Sequence, residues 1–230
     1  MKIGIISDVH GNPIALEAVL GRMEDVDLIL NLGDLVGIGP WPSRTMDMIM
    51  DDRRFLSVMG NHCHNTVYGT ELGPTDVVPR KPHHDWVRSQ LSPGQIEFIS
   101  EFPLHIVEEM NGISVSMMHR HPDDCGSPVP YYDTPTRGVV EEFYSGVEGD
   151  LILFGHTHIP LDIGGDRRYF NPGAVGAQNY GKASYGILEI ESDGFRIRRE
   201  EVPYDHRKVV EDIIDREVPY REFIIKNFFP

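Results

Sequence analysis

Five short apolar segments recur along the chain, and each has the length and the β-branched content of a buried strand. Polar side chains of the types that bind metal ions follow each segment at once. These side chains are Asp8 and His10, then Asp34, then Asn61 and His62, then His119, and finally His156 and His158. Open α/β sheets bind their ligands just beyond the carboxyl ends of their strands. The pattern therefore predicts a multinuclear metal site at one edge of a sheet.

Helical signals separate the first three of these strands. Asn12 is a good N-cap and Pro13 a good first helical residue, and a second helix is predicted to begin near Ser43. A capping box is predicted from Ser92 to Gln95. The order strand, helix, strand, helix, strand is typical of a mainly parallel sheet.

The rest of the chain predicts two long loops, a hairpin and a helical tail. The loops cover residues 63–82 and 122–137, which are rich in polar residues, Gly or Pro, and are expected near the site. Residues 184–202 have the signature of a β-hairpin. Asp205 is predicted to cap the helical tail, residues 205–230. Four further histidines are interpreted as surface residues: His83, His84, His105 and His206.

Composition narrows the class of protein. With 230 residues, 40% of them hydrophobic, the chain is expected to form a single domain, residues 1–230. Its 36 acidic and 21 basic residues give a formal charge of −15, which argues against a long nucleic acid as partner. There is no signal-peptide pattern, no apolar stretch that would span a membrane, and no disulfide framework from Cys63 and Cys125. The expected location is the reducing cytoplasm.

The ordered set of motifs resembles the calcineurin-like metallophosphoesterases, and within them the small prokaryotic phosphodiesterase branch. Each motif alone is weak, but all occur in order and each follows a predicted strand. The matching residues are Asp8-Val9-His10, Gly33-Asp34-Leu35-Val36-Gly37, Gly60-Asn61-His62, His119 and Gly155-His156-Thr157-His158. The resemblance runs from Met1 to about Val202. It implies a four-layer αββα sandwich of the α/β class, in which helices flank two mixed β-sheets.

The resemblance also implies a role for each site residue. The ligands of one ion would be Asp8, His10 and His158, those of the other would be Asn61, His119 and His156, and Asp34 would bridge the two. Imidazole and oxygen ligands together suit two divalent transition-metal ions such as Mn, Fe, Zn, Ni or Co. Such a pair makes a hydroxide available at neutral pH to attack phosphorus. His62 would assist as a general acid or as a donor to the phosphate, although a simple hydrogen-bonded loop histidine is the alternative.

Two positions depart from the family pattern. Cys63 and His64 stand where an acidic residue usually follows the motif histidine, and such a carboxylate would orient His62. Cys63 could be a soft ligand or a reactive thiol, but a small loop residue is favoured. Arg120 replaces a common glycine and could bind a substrate phosphate or pair with a surface carboxylate. His121 could compete with His119 as ligand, but His119 directly follows the strand and is preferred.

The predicted function is hydrolysis of a small or nucleotide-like phosphodiester. One alternative is a non-catalytic metal-binding scaffold of the same fold. Because both His10 and His62 are present, catalysis is favoured over the scaffold. The other alternative, a phosphomonoesterase or protein phosphatase, is left open by the motifs.

Overall fold

The structure is a computed structural model that describes residues 1–69, 80–123, 126, 134–178, 180–192 and 194–230. The strands of these residues are β1 (Lys2–Ile6), β2 (Leu28–Asn31), β3 (Phe55–Ser57), β4 (His105–Met110), β5 (Ile113–Met118), β6 (Leu151–Leu153), β7 (Leu161–Ile163), β8 (Arg168–Asn171), β9 (Lys182–Glu191) and β10 (Gly194–Pro203). The helices are α1 (Pro13–Leu20), α2 (Pro42–Met50), α3 (Asn61–Tyr68), α4 (Arg80–Ser89), α5 (Pro93–Ser100), α6 (Arg137–Phe143), α7 (His206–Asp215) and α8 (Arg221–Phe228).

The strands form two mixed five-stranded sheets. The first has the order β10-β9-β1-β2-β3, and its β1, β2 and β3 run parallel as the sequence predicts. The second has the order β4-β5-β6-β8-β7, with β5, β6 and β8 parallel. In each sheet an antiparallel hairpin accompanies the parallel strands, β9–β10 in one and β4–β5 in the other. The carboxyl ends of the parallel strands in each sheet therefore lie at one edge.

The two sheets pack face to face and helices cover their outer faces. Ile3 and Ile5 of β1 are buried in the same apolar cluster as Val115 of β5, between the sheets. The next residue of β1, Ile6, points to the other face and packs with Leu16 of α1. Such burial on both faces is expected of a parallel strand covered by helices. A further apolar cluster joins α6 to the outer face of the second sheet. These layers confirm the predicted αββα sandwich.

The predicted helix starts are confirmed. The Asn12 side chain accepts a hydrogen bond from the Ala15 amide at 3.0 Å. Ser92 and Gln95 form a reciprocal capping box at the start of α5. The Asp205 side chain accepts from the Lys208 amide at 3.0 Å and caps α7. Within the described chain, no helix is long and apolar enough to cross a membrane.

The prediction of a loop over residues 63–82 is wrong at both ends. Helix α3 begins at Asn61 and continues to Tyr68, and α4 already begins at Arg80. Helix α3 is mostly polar, and only Cys63 and Thr66, three residues apart on one face, are buried. Two buried positions are too few to give a helical hydrophobic pattern in the sequence. Residues 70–79 lie outside the described residues. So do residues 124–125 and 127–133 of the second predicted loop, and Cys125 with them.

Candidate metal centre

Side chains from both sheets meet where the parallel strands end. The loops after β1 and β2 are joined by hydrogen bonds from the Asp8 amide to the Gly33 carbonyl (3.1 Å) and from the His10 amide to the Asp34 carbonyl (2.9 Å). In the second sheet, the Gly155 amide donates to the His119 carbonyl at 3.2 Å. The two sheets are joined by the His156 amide, which donates to Asp8 Oδ2 at 3.1 Å. The backbone thus holds the motif side chains in one place.

The first group of side chains has the geometry of a cation site. His10 Nε2 and His158 Nε2 face each other at 2.9 Å, and Asp8 Oδ1 lies 3.6 Å from the former and 3.3 Å from the latter. Asp8 Oδ1 is buried and has no hydrogen-bond partner among the described residues. A buried carboxylate oxygen in that state is costly unless a cation or a donor satisfies it. These donors therefore fit a bound metal ion.

The second group surrounds His119. Asp34 Oδ2 lies 3.2 Å and Asn61 Oδ1 3.1 Å from His119 Nε2. His119 Nδ1–H donates to the Leu32 carbonyl at 2.8 Å, so that Nε2 is the nitrogen directed at the oxygen ligands. The ring of His156 lies 5.2 Å from that of His119, centroid to centroid.

Asp34 is central to the arrangement. Its Oδ1 accepts the backbone amides of His62 (2.8 Å) and Cys63 (3.4 Å), which fixes the carboxylate. Donor atoms of three residue triads lie within 4.8 Å of one another in the described chain: Asp8, His10 and His158; Asp8, Asp34 and His119; and His10, Asp34 and His62. Asp34 belongs to two of these triads. His62, which the sequence predicts to act on the substrate and not to bind metal, belongs to one. His156, a predicted ligand, belongs to none of them.

The electrostatics keep the carboxylates charged. Burial alone would raise the pKa of both, but His158 holds the pKa of Asp8 and His119 holds the pKa of Asp34 well below the usual value. Burial would also lower the pKa of His119, yet Asp34 outweighs it and raises that pKa to about 9. Burial and the neighbouring His119 lower the pKa of His156 to about 3. An ionised carboxylate and a neutral imidazole are the forms that bind metals, so a bound ion would have to displace the proton that Asp34 stabilises on His119.

Most of the predicted ligands have unusual backbone angles. Five have a φ in the left-handed region, between +53° and +73°: Asp8, His10, Asp34, His156 and His158. This conformation costs of order 1–3 kcal/mol for a residue other than glycine, and such residues cluster at functional sites. The hydrogen bonds between these loops hold the strained backbone in place.

Two motif glycines are required for space as well as for conformation. A Cβ at Gly33 (φ +99°) would lie 2.7 Å from His119 Nδ1, and one at Gly37 (φ +101°) would lie 2.7 Å from His62 Nδ1. The two glycines of Gly33-Asp34-x-x-Gly37 therefore let two histidine rings pack closely against the turn that follows strand β2.

The interpretation of His83 and His84 as surface residues is wrong. They are 7% and 2% exposed, whereas His105 and His206 are half-buried. His84 Nε2 lies 3.1 Å from His62 Nδ1, and His83 Nε2 accepts the Ile38 amide at 2.9 Å. A signal was present in the sequence, since both histidines precede the fully buried Val87 by three or four residues and so share its helix face.

Cys63 is buried at the start of α3. Burial, together with Asp34, raises the pKa of its thiol to about 12. A neutral, buried thiol is neither a soft ligand nor a reactive nucleophile. The favoured interpretation as a small packing residue agrees with this, except that the residue lies in a helix and not in a loop.

An open cleft of about 630 Å³ lies beside the predicted metal ligands. Its walls include Arg120 and Gln178, His64 and Asn65 of α3, and His83 and His84 of α4. Its remaining wall is one face of α8 and the preceding Tyr220, which the sequence did not predict to line the site. Arg120 thus lines the cleft, and its role as a phosphate contact stays a prediction.

Comparison with known proteins identifies relatives along nearly the whole chain. The profile described as "Calcineurin-like phosphoesterase superfamily domain" matches residues 1–193. An uncharacterized protein of Methanocaldococcus jannaschii is 31% identical over 246 aligned positions, which cover 94% of this chain and 93% of the relative.

Two solved structures are also similar. A metallophosphoesterase from Sphaerobacter thermophilus has 27% identity and a TM-score of 0.79, with 99% of this chain and 97% of that chain covered. A hypothetical protein from Pyrococcus horikoshii OT3 has 18% identity and a TM-score of 0.84, with 100% and 98% covered, and at that identity it supports the fold alone.

Proposed function

Because the chain belongs to the calcineurin-like phosphoesterase superfamily, we propose that it is a binuclear metal-dependent phosphodiesterase that hydrolyses a small or nucleotide-like phosphodiester. The observation that carries this proposal is the convergence of donors around the buried, unpartnered Asp8 Oδ1. His10 Nε2 and His158 Nε2 face each other at 2.9 Å, close enough for a hydrogen bond and also placed so that one cation could bind both nitrogens.

The proposed ligand sets follow the strand ends. Asp8, His10 and His158 would hold one divalent ion. Asn61, His119 and His156 would hold the second, and Asp34 would be shared between the two. When bound, the ions supply a hydroxide nucleophile at neutral pH and neutralise the phosphate oxygens. Manganese is the proposed metal for the first reconstitution, because sites with both imidazole and oxygen ligands bind it.

His62 acts on the substrate from the side of α3. For His62 to donate from Nε2, its Nδ1 must accept, and His84 Nε2 at 3.1 Å is placed to donate that hydrogen bond. This assignment makes His84 the positioning residue for His62, with the opposite hydrogen-bond polarity from the acidic residue usual after the motif, which would accept from Nδ1–H. His62 then directs Nε2–H at a phosphate oxygen or the leaving group.

The cleft and the charge support a small substrate. A volume of about 630 Å³ is within the range of pockets that bind small molecules. The formal charge of −15 disfavours a long nucleic-acid backbone. The scaffold alternative needs neither an ordered His62–His84 pair nor a cleft beside the donors, and both are present.

The test compares a diester with a monoester. Protein stripped of metal and refilled with Mn²⁺ is assayed with bis-p-nitrophenyl phosphate and with p-nitrophenyl phosphate, and its metal content is measured in parallel. We expect two metal equivalents and diester turnover well above monoester turnover, lost on stripping. Faster monoester turnover would favour a phosphomonoesterase. Two bound ions without turnover of either ester would favour the scaffold.

Replacing Arg120 with Ala is expected to raise KM for the diester more than it lowers kcat. Arg120 lines the cleft, where its guanidinium would bind a phosphate oxygen in the ground state as well as in the transition state. Steady-state kinetics on bis-p-nitrophenyl phosphate measure the two constants. Arg44→Ala is the matched control, because Arg44 pairs with Glu17 on the exposed side of α1 and α2. Unchanged kinetics in Arg120→Ala would contradict the assignment.

A further inference from the structure

Helix α8 lies beyond residues 1–193, the part matched by the family profile, and yet it forms a wall of the cleft. The lining residues from this part of the chain are Tyr220, Phe223, Ile224, Asn227 and Phe228. Tyr220 is the N-cap of α8, and the other four, at Phe223 and one, four and five residues beyond it, lie on one side of the helix. A continuous face of this helix is therefore directed at the candidate site.

Gln178 fixes the end of α8 to a predicted metal ligand. Its backbone amide donates to the Phe228 carbonyl at 2.7 Å, and its side-chain amide donates to the Asn227 carbonyl at 3.1 Å. Its Oε1 accepts from His158 Nδ1–H at 2.8 Å. The same hydrogen bond leaves His158 Nε2 available as a ligand atom. The helix is thus held in register with the site.

Packing fixes the rest of α8. Ile224 and Phe229 are buried with Val209 and Ile213 of α7 in one apolar cluster. Helix α8 is therefore anchored at its C-terminus by Gln178 and along its buried side by α7. A wall held in this way offers its aromatic side chains to a ligand with little further ordering cost.

The aromatic side chains begin next to the ligands and continue outward. The Phe228 ring lies 6.1 Å from the His158 ring, and the Phe223 ring lies 6.4 Å from that of Phe228, centroid to centroid. Phe223 is 44% exposed. Single exposed apolar residues need no explanation, but this one borders a cleft and extends a row of rings that starts at the site. Asn65 and His64 of α3 supply polar groups to the same cleft.

We propose that this face of α8 is a subsite for a planar aromatic ring on an ester group of the substrate, with Phe223 as its stacking platform. The inference rests on the proposed function and narrows the substrate class to phosphodiesters of nucleosides or of comparable ring compounds. Aromatic side chains stack on every base because each base has a π-face. The acidic chain restricts such substrates to short ones.

The first test measures binding without turnover. Isothermal titration of the Mn²⁺-loaded protein compares AMP with ribose 5-phosphate, which has the same phosphate and sugar but an anomeric hydroxyl in place of the base. We expect AMP to bind about tenfold more tightly, as for one base–aromatic stack. Phe223→Ala should abolish this preference and Phe223→Trp should keep it. Ile214→Ala, an exposed apolar residue of the neighbouring α7, is the matched control. Equal Kd values for both ligands in the unaltered protein would overturn the proposal.

The second test measures the turnover of two diesters that share the same leaving group, p-nitrophenolate. The p-nitrophenyl ester of thymidine 5'-phosphate is compared with methyl p-nitrophenyl phosphate. Phe223→Ala should lower the ratio of their kcat/KM values by about tenfold, through KM. An unchanged ratio would overturn the subsite while leaving the phosphodiesterase proposal in place. Hydrolysis of neither ester would contradict the proposed function, and the titration would then decide the subsite on its own.

Discussion

Replacing Asp34 with Asn is expected to remove bound metal and activity together. The carboxylate belongs to two of the three close donor triads and is the proposed bridge between the ions. An amide has no charge to offset two divalent cations. Loss of a partner outside the ligand set already costs about 10- to 100-fold in metal affinity or activity, so loss of the bridge should cost more than about 100-fold in kcat/KM.

Metal analysis after gel filtration and diester kinetics give the two readouts for Asp34→Asn. Circular dichroism checks the fold, since Asp34 Oδ1 also accepts the His62 and Cys63 amides. Asn Oδ1 can accept the same hydrogen bonds, which makes this substitution gentler than Ala. The matched control is Asp150→Asn, because Asp150 accepts the Ser114 amide at 3.0 Å at the far end of the second sheet's strands. An active Asp34→Asn protein with two metal equivalents would refute the bridging role.

The part of the site that sequence could predict is the part made by strand ends. Asp8, Asp34 and His119 each lie within three residues of the end of a strand, and parallel strands of one sheet end at one edge. The local hydrophobic pattern therefore predicts the approximate positions of these side chains. It also predicts the sandwich, because a strand such as β1 with apolar residues on both faces requires a covering layer on each face.

The part that sequence could not predict depends on contacts between distant segments. His84 reaches His62 from 22 residues away, and Gln178 reaches Asn227 from 49 residues away. No local pattern encodes which helix covers the open side of a sheet edge. The order of layers was predictable, but the packing of α4 and α8 beside the predicted ligands depends on side-chain fit across the whole molecule.

His84→Ala is expected to lower kcat less than removal of His62 itself does. The ring of His84 is 2% exposed and its Nε2 lies 3.1 Å from His62 Nδ1, so its loss frees the orientation of His62 without removing it. His84→Gln retains a side-chain N–H donor and should restore part of the rate. Rescue by Gln would separate positioning from packing, because a purely structural role would leave Gln and Ala with the same kcat.

His62→Ala is expected to retain both metal ions and to lower kcat by about 10²- to 10⁴-fold, the usual contribution of one general acid or base. Its backbone amide still holds Asp34, so the bridge stays in place after the ring is removed. Metal content and kcat are measured on the same Mn²⁺-refilled sample. His105→Ala is the matched control, because His105 bonds Ser116 away from the cleft.

The metal content of His62→Ala decides between two assignments that the geometry brings close together. His62 shares a donor triad with His10 and Asp34, with their donor atoms within 4.8 Å of one another. Loss of one metal equivalent in the variant would assign His62 to the ligand set. It would do so in preference to His156, which belongs to no such triad among the described residues. Retention of both equivalents with a large loss of kcat would leave His62 as the group that acts on the substrate, because a ligand cannot be removed without cost to metal affinity.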